Sequence, residues 1–210
     1  MPAVRARRFP AIEKRLLASL RIAQEIVSAG STAGAGGRRL EAILHEAGFM
    51  RAFVAWERFL EDVFLSYMMG QRPISGRAPH RYYEPPNSES ARYFLRMVAG
   101  RRPYLDWTEP TEIAQRAQVV FRNGGCFSKL QAQNQVLQDM KRVRNAISHD
   151  SDNARAKFEE LVRKQLTTLP PGCTPGSLLG ARNPNAGAHG TFLDTYLDVI
   201  RGLARDLLRP

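Results

Sequence analysis

The chain of 210 residues is 43% apolar and 24% charged. That is ordinary for a soluble globular protein, with length enough for one domain with a real core and marginal for two. Its net charge of +11 favours a polyanionic partner, whether nucleic acid, an anionic membrane surface or an acidic protein, although an arginine-rich composition drawn from GC-rich codons would account for part of the excess. Nothing approaches the ~18 uninterrupted apolar residues of a spanning helix, and the only cysteines, Cys126 and Cys173, have neither the number for a disulfide framework nor the spacing of metal ligands, so two free thiols, no metal and no cofactor are expected.

The first residues carry Arg5, Arg7 and Arg8 and no acid, as a targeting segment would, but no apolar core region follows. Glu13, Lys14 and Arg15 begin an amphipathic helix instead, and a cytoplasmic protein is expected. That helix is predicted over 12–28, where Ile12, Leu16, Leu20, Ala23 and Val27 recur at intervals of three or four. The small residues and four glycines of "AGSTAGAGG" are predicted to end it. The longest helical signal spans 38–69. Leu40, Ile43, Leu44 and Ala47 lead in, and Phe53, Trp56, Phe59, Leu60, Val63, Phe64 and Tyr67 follow as a broad aromatic face. This is the expected central helix, with Gly48 the place where it would bend. Glu57 and Glu61 share a side of it, and Arg58 precedes Asp62 by four, a spacing that allows a surface ion pair. A solvated face explains both pairs better than carboxylate chemistry does.

Residues 70–87, "GQRPISGRAPHRYYEPPN", hold four prolines and cannot form a regular element. The loop is basic and aromatic, with Arg72, Arg77, His80, Arg81, Tyr82 and Tyr83. Basic residues interleaved with aromatics follow a single nucleic-acid strand by charge and stacking; the plainer alternative is a loop whose tyrosines pack against the domain. A short helix is predicted over 88–99. Another opens in "TEPTEIAQRAQVVF", with Thr108 as N-cap and Pro110 in the first turn, and "NGG" at 123–125 breaks it. The next helix is predicted to start near Phe127, with Val136, Met140, Val143 and Ile147 as its apolar stripe. A helix over 152–168, capped from "DSDN", buries Phe158, Leu161, Val162 and Leu166. Residues 169–190 read as a second irregular connection, and the last helix repeats Phe192, Tyr196, Val199, Ile200, Leu203 and Leu207. With no strand pattern, Gly-rich phosphate loop or repeat, the expected fold is an all-α bundle of six or seven helices with two long irregular loops.

The stretch "KRVRNAISHD", residues 141–150, ends the helix that carries the Val136–Ile147 stripe. On an ideal helix, at ~100° per residue, Arg144 and His149 point ~140° apart. They converge only if the helix ends near Ser148 or the arginine stem swings round, and "SHDSDN" favours an end there, since Ser, Asp and Asn prefer caps and turns. Such a trio suits RNA phosphodiester cleavage. The attacking 2′-hydroxyl must lose a proton and the leaving 5′-oxygen must gain one, and histidine does either near neutral pH. Arginine braces phosphate oxygens in a bidentate fork, and Asn145 would orient the histidine or the substrate. The bland alternative is that Arg144 binds helix-end carbonyls and His149 caps the turn.

The order arginine, polar residue, then histidine after four intervening positions resembles the signature of the HEPN superfamily. "AFVAWERFLEDVFLSYM" resembles its aromatic and acidic early helix, "KRVRNAISHDS" its helix-end motif and "FLDTYLDVIRGLARDL" its closing helix. The resemblance covers about residues 40–208 of what reads as a single domain, 1–210, and is nearest to the larger prokaryotic members tied to toxin–antitoxin and phage-defence systems. It implies a metal-independent endoribonuclease acting as a homodimer with facing motifs. By it, Arg144 and His149 are the catalytic residues and Asn145 a supporting one. Lys141, Arg142, Arg81, Tyr82 and Tyr83 are the RNA-binding candidates. It further implies RNA, tRNA among the options, as substrate and an antitoxin protein as a second partner. The alternative function is a non-catalytic HEPN-like dimerisation module that binds nucleotide, RNA or a cognate protein. Regulation through DNA ranks below both, because no recognition helix of a helix-turn-helix is evident.

Overall fold

The computed structural model describes residues 8–32, 37–98, 106–186 and 190–210. Within them the chain is all-α, with eight α-helices rather than six or seven and no strand. The helices are α1 Phe9–Thr32, α2 Gly37–Met68, α3 Ser88–Val98, α4 Pro110–Val120, α5 Asn134–Ser148, α6 Asp152–Leu166, α7 Pro175–Gly180 and α8 Phe192–Leu208, and a 3-10 segment, Arg122–Gln133, leads into α5. None of the described helices is long and apolar enough to cross a membrane. Arg5 and Arg7, residues 33–36 of the first predicted loop, the last predicted residue of the 88–99 helix and residues 187–189 of the second loop lie outside the described residues.

Several boundaries differ from the sequence expectation for physical reasons. α1 begins at Phe9, whose ring is buried against Tyr67 with centroids 4.7 Å apart, and Pro10 sits in the first turn, where its missing N–H is harmless. It continues through Gly30, where Leu44 of α2 packs so closely that a Cβ would meet its Cδ1 at 2.7 Å; tertiary contact overrides the weak local propensity. The N-cap of α4 is Glu109, not Thr108, which instead bonds Asp106 through both its N–H and its hydroxyl. Asn123, Gly124 and Gly125 break the chain after α4 with φ of 54°, 72° and 56°, a left-handed run that glycine adopts freely. The helix expected from Phe127 starts as 3-10 and becomes α only at Asn134. The second irregular connection contains α7, closed by a reciprocal capping box between Thr174 and Ser177.

The chain divides into two compact units. The first comprises Met1–Leu16, Trp56–Leu137 and Arg201–Pro210. Its core is the predicted aromatic face of α2. Phe64 packs on Phe127, Phe121 and Trp107 at centroid distances of 4.7, 5.2 and 5.5 Å, and the Tyr67 hydroxyl donates to Leu207 O at 2.6 Å. Burial pushes the Cys126 thiol up to about 12. The surface acids of α2 pair with other helices: Asp62 with Arg15 and Glu61 with Arg92 at 3.0 Å. The Arg209 guanidinium forks onto both Glu13 oxygens at 2.7 and 3.0 Å.

The second unit comprises Leu17–Ala55 and Gln138–Ile200. α2 is unbroken at Gly48. The glycine serves contact, since a Cβ there would lie 2.8 Å from Ala23 O and would force α1 and α2 apart. The expected lead-in face is corrected here. Leu40, Ile43 and Ala47 are exposed, while His45 and Phe49 are buried. His45 Nδ1 donates to Glu41 O at 2.8 Å, and Phe49 meets Tyr196 of α8 at 6.0 Å. α7 docks through its own backbone, Gly176 N donating to Glu46 Oε1 at 2.9 Å. Of the stripe expected on α5, Met140 and Val143 are buried, and Val136 and Ile147 are only half-buried. On α6, Phe158, Leu161 and Val162 are buried as expected and Leu166 is half-buried.

Candidate functional site

α5 ends at Ser148, the position that brings its polar end residues together. His149 N still donates to Asn145 O at 2.9 Å, so the imidazole leaves the chain at the last helical turn. Two residues later Ser151 is the N-cap of α6, extended at φ −123°, ψ 145°, its hydroxyl accepting from Ala154 N. The α5–α6 junction is therefore the short turn His149-Asp150-Ser151, all three exposed.

Arg144 is half-buried beneath this turn. Its Nη1 donates to Asn145 Oδ1 at 3.1 Å and lies 3.3 Å from His149 Nε2. A guanidinium only donates, so this contact takes the imidazole tautomer with an unprotonated Nε2 and the proton on Nδ1. Arg144 Nη2 has no partner among the described residues, and its buried Nε has none either. The arrangement thus combines an imidazole lone pair at the surface, a fixed positive charge within hydrogen-bond reach of it and an unengaged guanidinium N–H. Those are the groups needed to accept a proton beside a phosphate and to hold that phosphate's charge.

The neighbouring charges are surface pairs. Arg155 reaches Asp150 at 3.4 Å and Arg142 reaches Glu160 at 3.7 Å; exposed pairs of this kind contribute about 0–1 kcal/mol and exchange readily for a phosphate. Lys141 is half-buried and already has partners. Among the described residues no three His, Cys, Asp or Glu side chains form a metal-ligand group.

The other RNA-binding candidates, Arg81, Tyr82 and Tyr83, belong to the first unit. Arg81 is engaged within the fold, donating to Met68 O at 2.9 Å and to Glu84 Oε1 at 2.8 Å. Tyr83 stacks on Phe94 with centroids 4.1 Å apart and planes 16° from parallel. Tyr82 alone of the three is exposed, at 61%. Arg81 and Tyr83 thus hold the loop within the fold, and Tyr82 faces solvent.

One buried polar group of the second unit escaped the sequence reading. Asp139 of α5 is 2% exposed, accepts from Gln165 Nε2 at 2.9 Å and faces Tyr196, whose phenol is pushed up first by its own burial and then by the Asp139 charge. Its signal was present. Asp139 precedes Val143 by four, which puts a carboxylate inside the apolar stripe of the same helix.

Comparison with family models, with curated proteins and with solved structures finds no match to this chain.

Proposed function

We propose that the protein is an endoribonuclease of HEPN type that needs no metal, with Arg144 and His149 as its catalytic residues and Asn145 as their support. The observation that carries this reading is the 3.3 Å approach of Arg144 Nη1 to His149 Nε2 at an exposed helix end. In the reaction, Arg144 Nη1 turns from His149 Nε2 to the phosphate, the lone pair so freed removes the proton from a ribose 2′-hydroxyl, and the 2′-oxygen attacks phosphorus. Arg144 holds the non-bridging oxygens, whose charge rises in the transition state. The P–O5′ bond breaks, the 5′-oxygen takes up a proton, and the products are a 2′,3′-cyclic phosphate and a 5′-hydroxyl.

The proposal is tested on the full chain with single-stranded RNA in excess chelator. The expected result is cleavage with 2′,3′-cyclic phosphate ends, read by mass spectrometry. Intact RNA, or ends carrying a 3′-hydroxyl, would remove the reading and leave the alternative of a binding module.

One imidazole in the required tautomer takes a proton but has none on Nε2 to give. A second trio facing the first across a twofold axis supplies the donor when its imidazole has taken up a second proton and donates it from Nε2 to the leaving 5′-oxygen, and a twofold dimer is the commonest closed assembly. A homodimer with two His149 side chains in one cleft is therefore expected. Light scattering across micromolar concentrations checks it; a monomer that retains full activity would refute the shared cleft. The HEPN resemblance extends the proposal to a toxin or defence effector, with cellular RNA such as tRNA as substrate and an antitoxin as a protein partner.

A further inference from the structure

The loop 70–87 is not slack where it meets the end of α4. Arg81 and Phe121 form an isolated antiparallel bridge, closed by Tyr82 N donating to Val120 O at 2.8 Å and Arg122 N donating to His80 O at 2.9 Å. Pro79 lies against Gly125, where a Cβ would be 2.8 Å from the proline Cβ, and the Arg81 guanidinium ties the same segment to Met68 O. Successive side chains of extended backbone point to opposite faces. Arg81 and Phe121 turn inward, Phe121 being fully buried. His80, Tyr82 and Arg122, the residues flanking that pair, are all three exposed, whereas Val120, the last residue of α4, is buried.

This outward face has a defined shape and charge. The His80 and Tyr82 rings meet edge to face, with centroids 5.9 Å apart and planes at 65°, which holds the Tyr82 ring open to solvent on a backbone that is already fixed. Arg122 is across the bridge from His80, and Arg72 and Arg77 are exposed in the same loop. None of these three arginines has an ion-pair partner among the described residues, whereas the loop's one acid, Glu84, is paired with Arg81. A large exposed aromatic ring on rigid backbone loses little entropy on binding, and unpaired arginines on a chain of net charge +11 complement a polyanion rather than an apolar protein surface.

We propose that this face is a stacking platform for single-stranded RNA, with a base on Tyr82, the adjoining phosphate on Arg122 and His80 as the residue that positions the ring. It rests on the nuclease reading for the identity of the polyanion as RNA. A duplex keeps its bases stacked on one another and offers no face to Tyr82, so single strands are preferred.

The test uses the full chain and a fluorescein-labelled, mixed-sequence 2′-O-methyl oligonucleotide of about 12 nucleotides, within the usual range of single-strand sites. Its blocked 2′-oxygen prevents cleavage, so binding is read apart from catalysis. Tyr82→Ala is expected to weaken binding about 5- to 100-fold and Tyr82→Phe to retain most of it, as base–aromatic stacking requires. Arg122→Ala is expected to weaken binding and to reduce the salt dependence by about 0.7 in log–log slope, the worth of one single-strand phosphate contact. Parental affinity in Tyr82→Ala overturns the platform, as does a duplex that competes equally with the single strand. A Tyr82→Ala variant that changes oligomeric state in light scattering and leaves RNA affinity unchanged assigns the face to a protein contact and also overturns it. Loss of affinity in Tyr82→Ala, in a protein that cuts no RNA, would keep the platform and remove only the nuclease reading.

Discussion

Replacing His149 by alanine is expected to lower the rate of RNA cleavage by about 10²–10⁴, the usual contribution of a general acid or base. The imidazole is at the exposed end of α5, and among the described residues its side chain meets Arg144 Nη1 at 3.3 Å. Removing it opens no cavity and strands no buried donor, so the unfolding free energy is expected to stay within about 0.5 kcal/mol of the parent, as for most surface changes. That separation of activity from stability is the discriminating result. A residue that merely capped the turn would show the opposite pattern, a cost of ~1 kcal/mol in stability with no loss of rate. Arg144→Lys is expected to be damaging as well, because an ammonium cannot present the planar fork that spans two phosphate oxygens. Single-turnover cleavage and urea unfolding of the same preparations check both variants. A folded His149→Ala protein that cuts at the parental rate would take the catalytic role away from the motif.

Trp56→Ala is expected to destabilise the protein by about 3–5 kcal/mol, the range for deleting a large buried aromatic. Trp56 is 2% exposed and stacks on Phe59, with centroids 5.4 Å apart and planes 15° from parallel. Truncation would remove those contacts and leave a void that a helix as tightly packed as α2 cannot close. Urea denaturation of the variant, followed by far-ultraviolet circular dichroism that helix should dominate, measures the loss. A change below about 1 kcal/mol would place this face of α2 outside the core.

The two expectations differ in how far the sequence alone reaches. The aromatic face of α2 was legible from Phe53 onward because large rings recurring at helical spacing leave one face to bury. Ten residues earlier the same pattern misled. Leu40 and Ile43 also recur at helical spacing, yet they are exposed while His45 is buried. Periodicity defines a stripe but does not say whether a neighbour covers it. α7, at six residues, is too short to display a period and was hidden in a proline-rich stretch. Asp62 was matched to Arg58 because both are on one helix, whereas the structure pairs it with Arg15, 47 residues away.

What the sequence by itself determined is local: the all-α class, the span of α2, the break at Asn123-Gly124-Gly125 and the stop of α5 at Ser148. Each depends on residues within a few positions of one another, through apolar spacing, capping preference or allowed φ. The tertiary structure alone decided which polar and aromatic groups remain available. Arg81 and Tyr83 are taken up by Met68 O and Phe94, Tyr82 is left in solvent beside His80, and Arg122 reaches the same face by pairing with His80 across the bridge. Those outcomes depend on contacts between segments up to about 40 residues apart along the chain, where loop closure and packing rather than local propensity set the geometry.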